Sequence, residues 1–364
     1  MNRDAFSARL AAIRPADAAA MDAARRRQAQ LAKPPGSLGK LEDISIQLAG
    51  ITGHIYNEIE KTRIYVLAAD NGVVAEGVSS APQSVTRQQA INLTRGVTGA
   101  SAIARRFGDE LVVVDVGIAE DYTCPQIVNR RIARGTKNIA KEPAMTVQQA
   151  LTALDTGMTL AAQAKRDGVQ ALGVGEMGIG NTTTSAAVLM ALTGCAVEDA
   201  VGRGGGVTEE AFARKRAVVA GALARLHPDA GDAVDVLAKV GGFDLAAMAG
   251  VFLGAAESRL PVVIDGFISV VAALCAVRLC PAARDFLFAS HGSFERGYAV
   301  AAQALSLTPV LTLDMRLGEG SGCPLGFRVL EAACAAMNGM ATFEDARIDD
   351  GYLAPIRAKD CFTV

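Results

Sequence analysis

Beyond residue 38 the chain alternates short, unbroken apolar runs with longer stretches of helical periodicity, and few folds accept that pattern. The runs fall at 64–69, 111–116, 169–174, 261–264, 286–289 and 310–313. None alternates polar with apolar residues, which is how a strand reads when helices cover both its faces. The segments between them, at 147–165, 182–192, 209–226 and 293–305, space apolar residues at helical intervals with charges interspersed. The pattern predicts an α/β fold around a parallel sheet.

Two Ala-rich amphipathic stretches, 5–13 and 16–31, precede this region and stop at Lys33-Pro34-Pro35-Gly36, where the double proline denies further helix. With 364 residues, 51% of them apolar, the chain can bury a large core as one large domain or two ordinary ones. Its 36 basic and 38 acidic residues leave a formal net charge of −2, which argues against nucleic acid as a partner. The one basic knot, Arg130, Arg131 and Arg134, reads as a solvated face.

Seven cysteines, at 124, 195, 275, 280, 323, 334 and 361, include no C-x-x-C pair and have no histidine nearby. They fit neither a disulfide framework nor a zinc site, so reduced thiols in the cytoplasm and no bound metal are expected. The charged N-terminus lacks the apolar core of a secretory leader. The apolar stretch 260–280 is interrupted by Asp265-Gly266 and Arg278, so it reads as a buried strand and turn and not as a membrane span. A soluble protein that needs no membrane is the expectation.

Each run ends in a polar residue close to glycine: Asp70-Asn71-Gly72, Asp115-Val116-Gly117, Gly175-Glu176, Asp265-Gly266, Ser290-His291-Gly292, and Asp314 leading to Glu319. One Asp-Gly is ordinary turn chemistry. Six in register suggest a shared rim, because ligands of open parallel sheets sit beyond the carboxyl ends of the strands.

Three glycine-rich strings carry the candidate chemistry. The string from Gly173 to Thr184 reads as a strand exit opening a helix, where backbone amides and the helix N-terminus favour an anion. Gly173, Gly175 and Gly178 satisfy G-x-G-x-x-G, but Glu176 would place a carboxylate where a pyrophosphate belongs. A dinucleotide-linked oxidoreductase is therefore only the alternative to a phosphate or ribose site. Gly202-Arg203-Gly204-Gly205-Gly206, ahead of a helix bearing Lys215, reads as a phosphate nest with the lysine as its point charge. Leu317-Gly318-Glu319-Gly320-Ser321-Gly322 presents one carboxylate among glycines, and a ligand that excludes water from Glu319 would make it a better general base. His291 could form a Ser/His/Asp triad with Asp265 or Asp314, but no G-x-S-x-G elbow accompanies it, and a structural or ligand-positioning role for Ser290 and His291 is the better reading.

In chain order, KPPGSLGKLE (33–42), ADNGVVAEGVS (69–79), GVGEMGIGNTT (173–183), KVGGFDL (239–245), DGF (265–267), SHGS (290–293) and MRLGEGSG (315–322) resemble the nicotinate-nucleotide–dimethylbenzimidazole phosphoribosyltransferase family. The resemblance covers nearly the whole chain. It implies a doubly wound, mostly parallel, Rossmann-like sheet, with a small helical subdomain from both termini. On that reading 1–36 and 328–364 form the subdomain and 37–327 the catalytic domain, usually as a homodimer. It further implies phosphoribosyl transfer from nicotinate mononucleotide to a benzimidazole nitrogen, for the cobalamin lower ligand, with no cofactor. Glu319 would be the general base. Glu176, Gly178, Asn181, Gly204 and Lys215 would hold ribose and phosphate, with Ser290 beside them. Gln89, Leu317, Phe267 and Asp265 would wall the base. Asn71 stands where the family commonly has histidine, and Ala81-Pro82 replaces a polar-Pro pair. Both departures are expected on the base side, which leaves other benzimidazoles, purines or phenolics open as acceptors. A non-catalytic nucleotide-binding relative is the third reading, opposed by the presence of Glu319, Glu176 and Lys215 together.

Overall fold

β1 (Thr62–Ala69) is buried at all eight of its positions, as an unbroken apolar strand in the middle of a covered sheet must be. The structure, a computed structural model, describes residues 1–358, so Cys361 lies outside the described residues. β2 (Glu110–Gly117), β3 (Val128–Asn129), β4 (Ala171–Met177), β5 (Val262–Ile264) and β6 (Leu287–Ala289) complete the sheet, in the order β3-β2-β1-β4-β5-β6. Every pairing is parallel, and Ile64 of β1 is in register with Leu111 and with Gly173. The order reverses between β1 and β4, so a crevice opens beyond their carboxyl ends.

Three expectations shift. The run at 310–313 makes one isolated bridge, Leu311 with His291, and no strand. Pro309 precedes it, Asp314 turns it away with a φ of +52°, and Leu313 is half exposed, so nothing covers its outer face. The edge on the other side is taken by the two-residue β3, too short to be read from sequence. Beside it Arg131 pairs with the buried Asp115 at 3.0 Å and Arg134 with Asp121 at 2.7 Å, so the basic knot is engaged in local ion pairs. Finally, β4 runs on through Met177, which makes Glu176 a strand residue opposite Leu67.

The helix Phe243–Glu257 packs on β1, β2 and β4 and against the helix Val147–Arg166. It is buried on all sides and therefore has no polar stripe to betray its period. Thr98 and Thr146 start the helices Gly99–Phe107 and Val147–Arg166 with capping boxes. Among the described residues no helix is long and apolar enough to cross a membrane.

The chain divides into two compact units, one of Met1–Arg14 with Lys61–Gly326 and one of Pro15–Glu60 with Phe327–Val364. These limits differ from divisions at 36 and 328. Residues 1–14 go with the sheet, where Arg9 pairs with Asp155 at 2.8 Å and with Glu257 at 2.5 Å. In the second unit Ala24, Ala49 and Met337 form a small core flanked by Ile46 and Ile55. There the turn after the double proline is closed by a Lys33–Glu42 ion pair of 2.6 Å, nearly shielded from water.

Candidate active site

β4 delivers Glu176 to the crevice, and the glycine before it makes room for the second glutamate. A methyl group at position 175 would stand 2.5 Å from Gly320 Cα and 2.6 Å from the Glu319 carbonyl carbon, so the turn 318–320 rests directly on the strand. Asp265, at the end of β5, holds that turn from the side. Its Oδ2 accepts from the Gly320 amide at 3.0 Å and its Oδ1 from the Gly322 amide at 2.7 Å. Both oxygens are thus engaged by the protein, and Asp265 shapes the cavity wall by fixing the turn.

Glu319 takes a φ of +62° at the tip, a conformation held by its glycine neighbours and these two amide bonds. Its side chain is buried. Oε1 accepts from Gln89 Nε2 at 2.7 Å, and Oε2 faces the Ala100 amide at 3.4 Å, at the positive end of the helix Gly99–Phe107. Leu317 lies across Gly99 and remains half exposed at the cavity mouth. Phe267 is buried against Gly297 on the opposite wall. Gln89, Leu317, Phe267 and Glu319 all line a cavity of about 280 Å³.

A second pocket adjoins this cavity. The helix Asn181–Thr193 starts there at Gly180, with a φ of +92° and no side-chain cap; the amides of Asn181 and Thr183 donate to the Gly178 and Gly180 carbonyls at 3.2 and 2.9 Å. Lys215 is almost fully buried behind the loop 202–206, and its Nζ donates to Thr182 Oγ1 at 2.8 Å. Burial lowers its pKa to about 8, against the opposing charge of Glu295. Gly178, Asn181, Thr182 and Gly204 line both this corner and the main cavity, so the two are continuous.

Three carboxyl groups in and beside the crevice resist ionisation. Burial, reinforced by the charges of Asp244 and Asp265, pushes Glu176 up to about 8 against the bond from Asn181. Burial raises Asp265 to about 7, opposed by its two turn amides, and Asp244 to about 6.

The remaining sites fall elsewhere. Ser290 does not reach the cavity; its hydroxyl donates to the Ile264 carbonyl at 2.7 Å and contacts His291 Nδ1 at 3.1 Å. With Asp265 committed to the turn amides, no Ser/His/Asp relay forms. His291 lines the cavity, with its pKa lowered by burial. Asp70 and Asp115 hold their own loops, accepting from the amides of Ala119 (2.8 Å) and Gly117 (2.9 Å). Asn71 lies behind Gly178 and Gly180 against Asp244, and Ala81 borders the Lys215 corner. Neither residue is among those that line the cavity with Gln89 and Glu319. Asp244, not singled out in the sequence, is the buried partner of this group.

A doubly wound parallel sheet with one cavity at its switch point, an anion corner at one end and a buried carboxylate between apolar walls at the other, defines an enzyme acting on a phosphorylated sugar or nucleotide. A family model described as phosphoribosyltransferase matches residues 13–348. The nicotinate-nucleotide–dimethylbenzimidazole phosphoribosyltransferase of Clostridium perfringens is 52% identical over 341 residues, covering 94% of each chain. The enzyme of the same name from Acetivibrio thermocellus is 48% identical over 90% of this chain and 94% of its own. The crystal structure of CobT from Thermus thermophilus superposes with a TM-score of 0.88 at 44% identity, covering 92% of this chain and all of that one. The chain belongs to the nicotinate-nucleotide–dimethylbenzimidazole phosphoribosyltransferase family.

Proposed function

We propose that this protein transfers the 5-phosphoribosyl group of nicotinate mononucleotide to dimethylbenzimidazole or a related base, giving α-ribazole phosphate for the cobalamin nucleotide loop. The supporting observation is a cavity lined by Glu319 and Gln89 that shares Gly178, Asn181, Thr182 and Gly204 with a neighbouring pocket lined by Lys215. The azole nitrogen attacks the anomeric carbon from the face opposite nicotinate. The bond to the pyridinium nitrogen breaks, and its electron pair leaves with nicotinate. The azole N–H becomes acidic as the other nitrogen is alkylated, and Glu319 takes that proton.

One observation favours a second role for the same residue. Both carboxylate oxygens of Glu319 already face donors, Gln89 Nε2 and the Ala100 amide, so the side chain also orients Gln89 toward the incoming base. A dinucleotide-linked oxidoreductase finds less support, because Glu176 rises from β4 where a pyrophosphate would lie. Equilibrium dialysis with a nicotinamide dinucleotide is expected to show no tight binding.

We further infer a cytoplasmic homodimer. The six described cysteines are all free thiols, and Val97, Phe294 and Leu317 are exposed apolar side chains. Sedimentation equilibrium checks the mass. The decisive assay incubates the protein with nicotinate mononucleotide and a panel of benzimidazoles, purines and phenolics. Released nicotinate with an α-ribosyl product is the expected result; no nicotinate with any base would reject the reading.

A further inference from the structure

The helix Ser84–Thr94 buries Thr86, Ala90 and Leu93 and carries Gln89 on the adjoining edge of that face. Ala90 and Leu93 are apolar, as a packed face requires. Thr86 is polar and fully buried, and its hydroxyl makes contacts that a valine of the same shape could not. Its Oγ1 accepts from the Ile179 amide at 3.0 Å, in the loop just beyond β4. A hydroxyl that accepts still has a hydrogen to give, and it faces the carboxyl group of Asp70, just beyond β1. Burial raises the pKa of Asp70, opposed by the Ala119 amide, which donates to Oδ2 at 2.8 Å, and by this hydroxyl. One side chain thus ties the helix to two strand exits.

Gln89 depends on that tie because it has no slack. Its Nε2 donates to Glu319 Oε1 at 2.7 Å and its Oε1 accepts from Asn92 Nδ2 at 3.3 Å, so both ends of the carboxamide are engaged. A carboxamide held at both ends cannot follow a helix that rolls or slides. Other anchors at this end of the helix are weaker. Gln83 at the N-cap makes no side-chain capping bond, and the Arg87–Glu120 ion pair of 2.9 Å is partly exposed and screened by water. Val85 and Ile179 line the cavity together with Gln89 and Glu319, so a displacement at Thr86 is felt in the site.

We propose that Thr86, backed by Asp70, is a positioning residue that sets Gln89 against Glu319 without touching the substrate. The inference rests on the reading that Gln89 and Glu319 meet the acceptor base, but one of its measurements needs no turnover.

Thr86→Val keeps the shape and removes the hydroxyl, whereas Thr86→Ser keeps the hydroxyl and removes a methyl group. Thr86→Val should lower kcat about tenfold, because small misplacements of groups at a reacting centre are costly. Thr86→Ser, although less well packed, should stay within about threefold of the wild type. In a Gln89→Leu background Thr86→Val should change kcat by less than about twofold, since the residue acts through Gln89. Crystal structures should show the Gln89–Glu319 bond broken in Thr86→Val and kept in Thr86→Ser. If Thr86→Val does not fold, Thr86→Ala, which leaves room for a water at the Ile179 amide, is read in its place. An intact Gln89–Glu319 bond in the variant that lacks the hydroxyl overturns the proposal. So do equal losses of kcat in Thr86→Val and Thr86→Ser, or an undiminished loss in the Gln89→Leu background. A broken bond in Thr86→Val, in a protein that releases no nicotinate from nicotinate mononucleotide with any base, would reject the transfer reading and leave the positioning role of Thr86 standing.

Discussion

The peptide that links Glu319 to Gly320 lies flat on the Cα of Gly175, one residue before Glu176, so both glutamates of the site take their positions from one point of β4. A side chain at 175 would lift the turn and move Glu319 away from Gln89. Gly175→Ala is therefore expected to lower kcat at least tenfold and to cost about 1–3 kcal/mol of stability through overpacking. Affinity for ribose 5-phosphate should survive, because the Lys215 corner does not touch this turn. Steady-state kinetics beside denaturant unfolding check the pair of outcomes; full activity would show that the turn tolerates displacement.

Glu319→Gln keeps the size of the side chain and removes its capacity to take a proton. Loss of a general base lowers turnover by roughly 10²–10⁴-fold. Nucleotide affinity should be retained, since Glu319 bonds to Gln89 and Ala100 while Lys215 bonds to Thr182. Single-turnover nicotinate release gives the chemical step. Near-normal turnover would leave Glu319 only its contacts to Gln89 and Ala100.

Asp265 acts on the same carboxylate from the other side. Asp265→Asn keeps one acceptor for the amides of Gly320 and Gly322 and turns a donor toward the second, so the turn loosens. The expected signature is a fall in kcat of about tenfold with little change in the KM for nucleotide, which marks a geometry that matters in the transition state more than in binding. A rise in KM for the base with kcat unchanged would instead make Asp265 a wall of the base pocket.

Legibility in the sequence follows the range of the interactions involved. Five strands are readable because each is covered on both faces and so reads as an unbroken apolar run. The helix Phe243–Glu257 is hidden by the same burial, which erases its amphipathic period. Glu319 can be found locally, since a carboxylate between glycines is unusual whatever surrounds it. Asp244 cannot: within Phe243-Asp244-Leu245 nothing signals that the acid turns inward, and its partners Asn71 and Asn181 are distant in the chain.

Lys215 gives the sharpest test, because its effects on stability and on binding run in opposite directions. Its pKa in the folded chain is lowered by burial to about 8 from 10.5. Below pH 8 the folded and unfolded states both carry the charge, and the folded state bears the full cost of burying it. As pH rises from 8 to 10.5 the folded state sheds the proton first and that cost disappears. A gap of this size corresponds to at most roughly 3 kcal/mol. Lys215→Met should therefore be more stable than the wild type at pH 7, and the advantage should close as pH passes from 8 to 10.5. The same charge is what a phosphate requires, so the variant should bind ribose 5-phosphate at least tenfold more weakly. Wild-type affinity for that ligand should decline as pH rises through 8. Thermal melting and calorimetry across this range measure both. A variant less stable than wild type at pH 7 would show that burying the charge carries no net cost, and a wild-type affinity that stays flat from pH 7 into the range above 9 would show that Lys215 is not the phosphate's counter-charge.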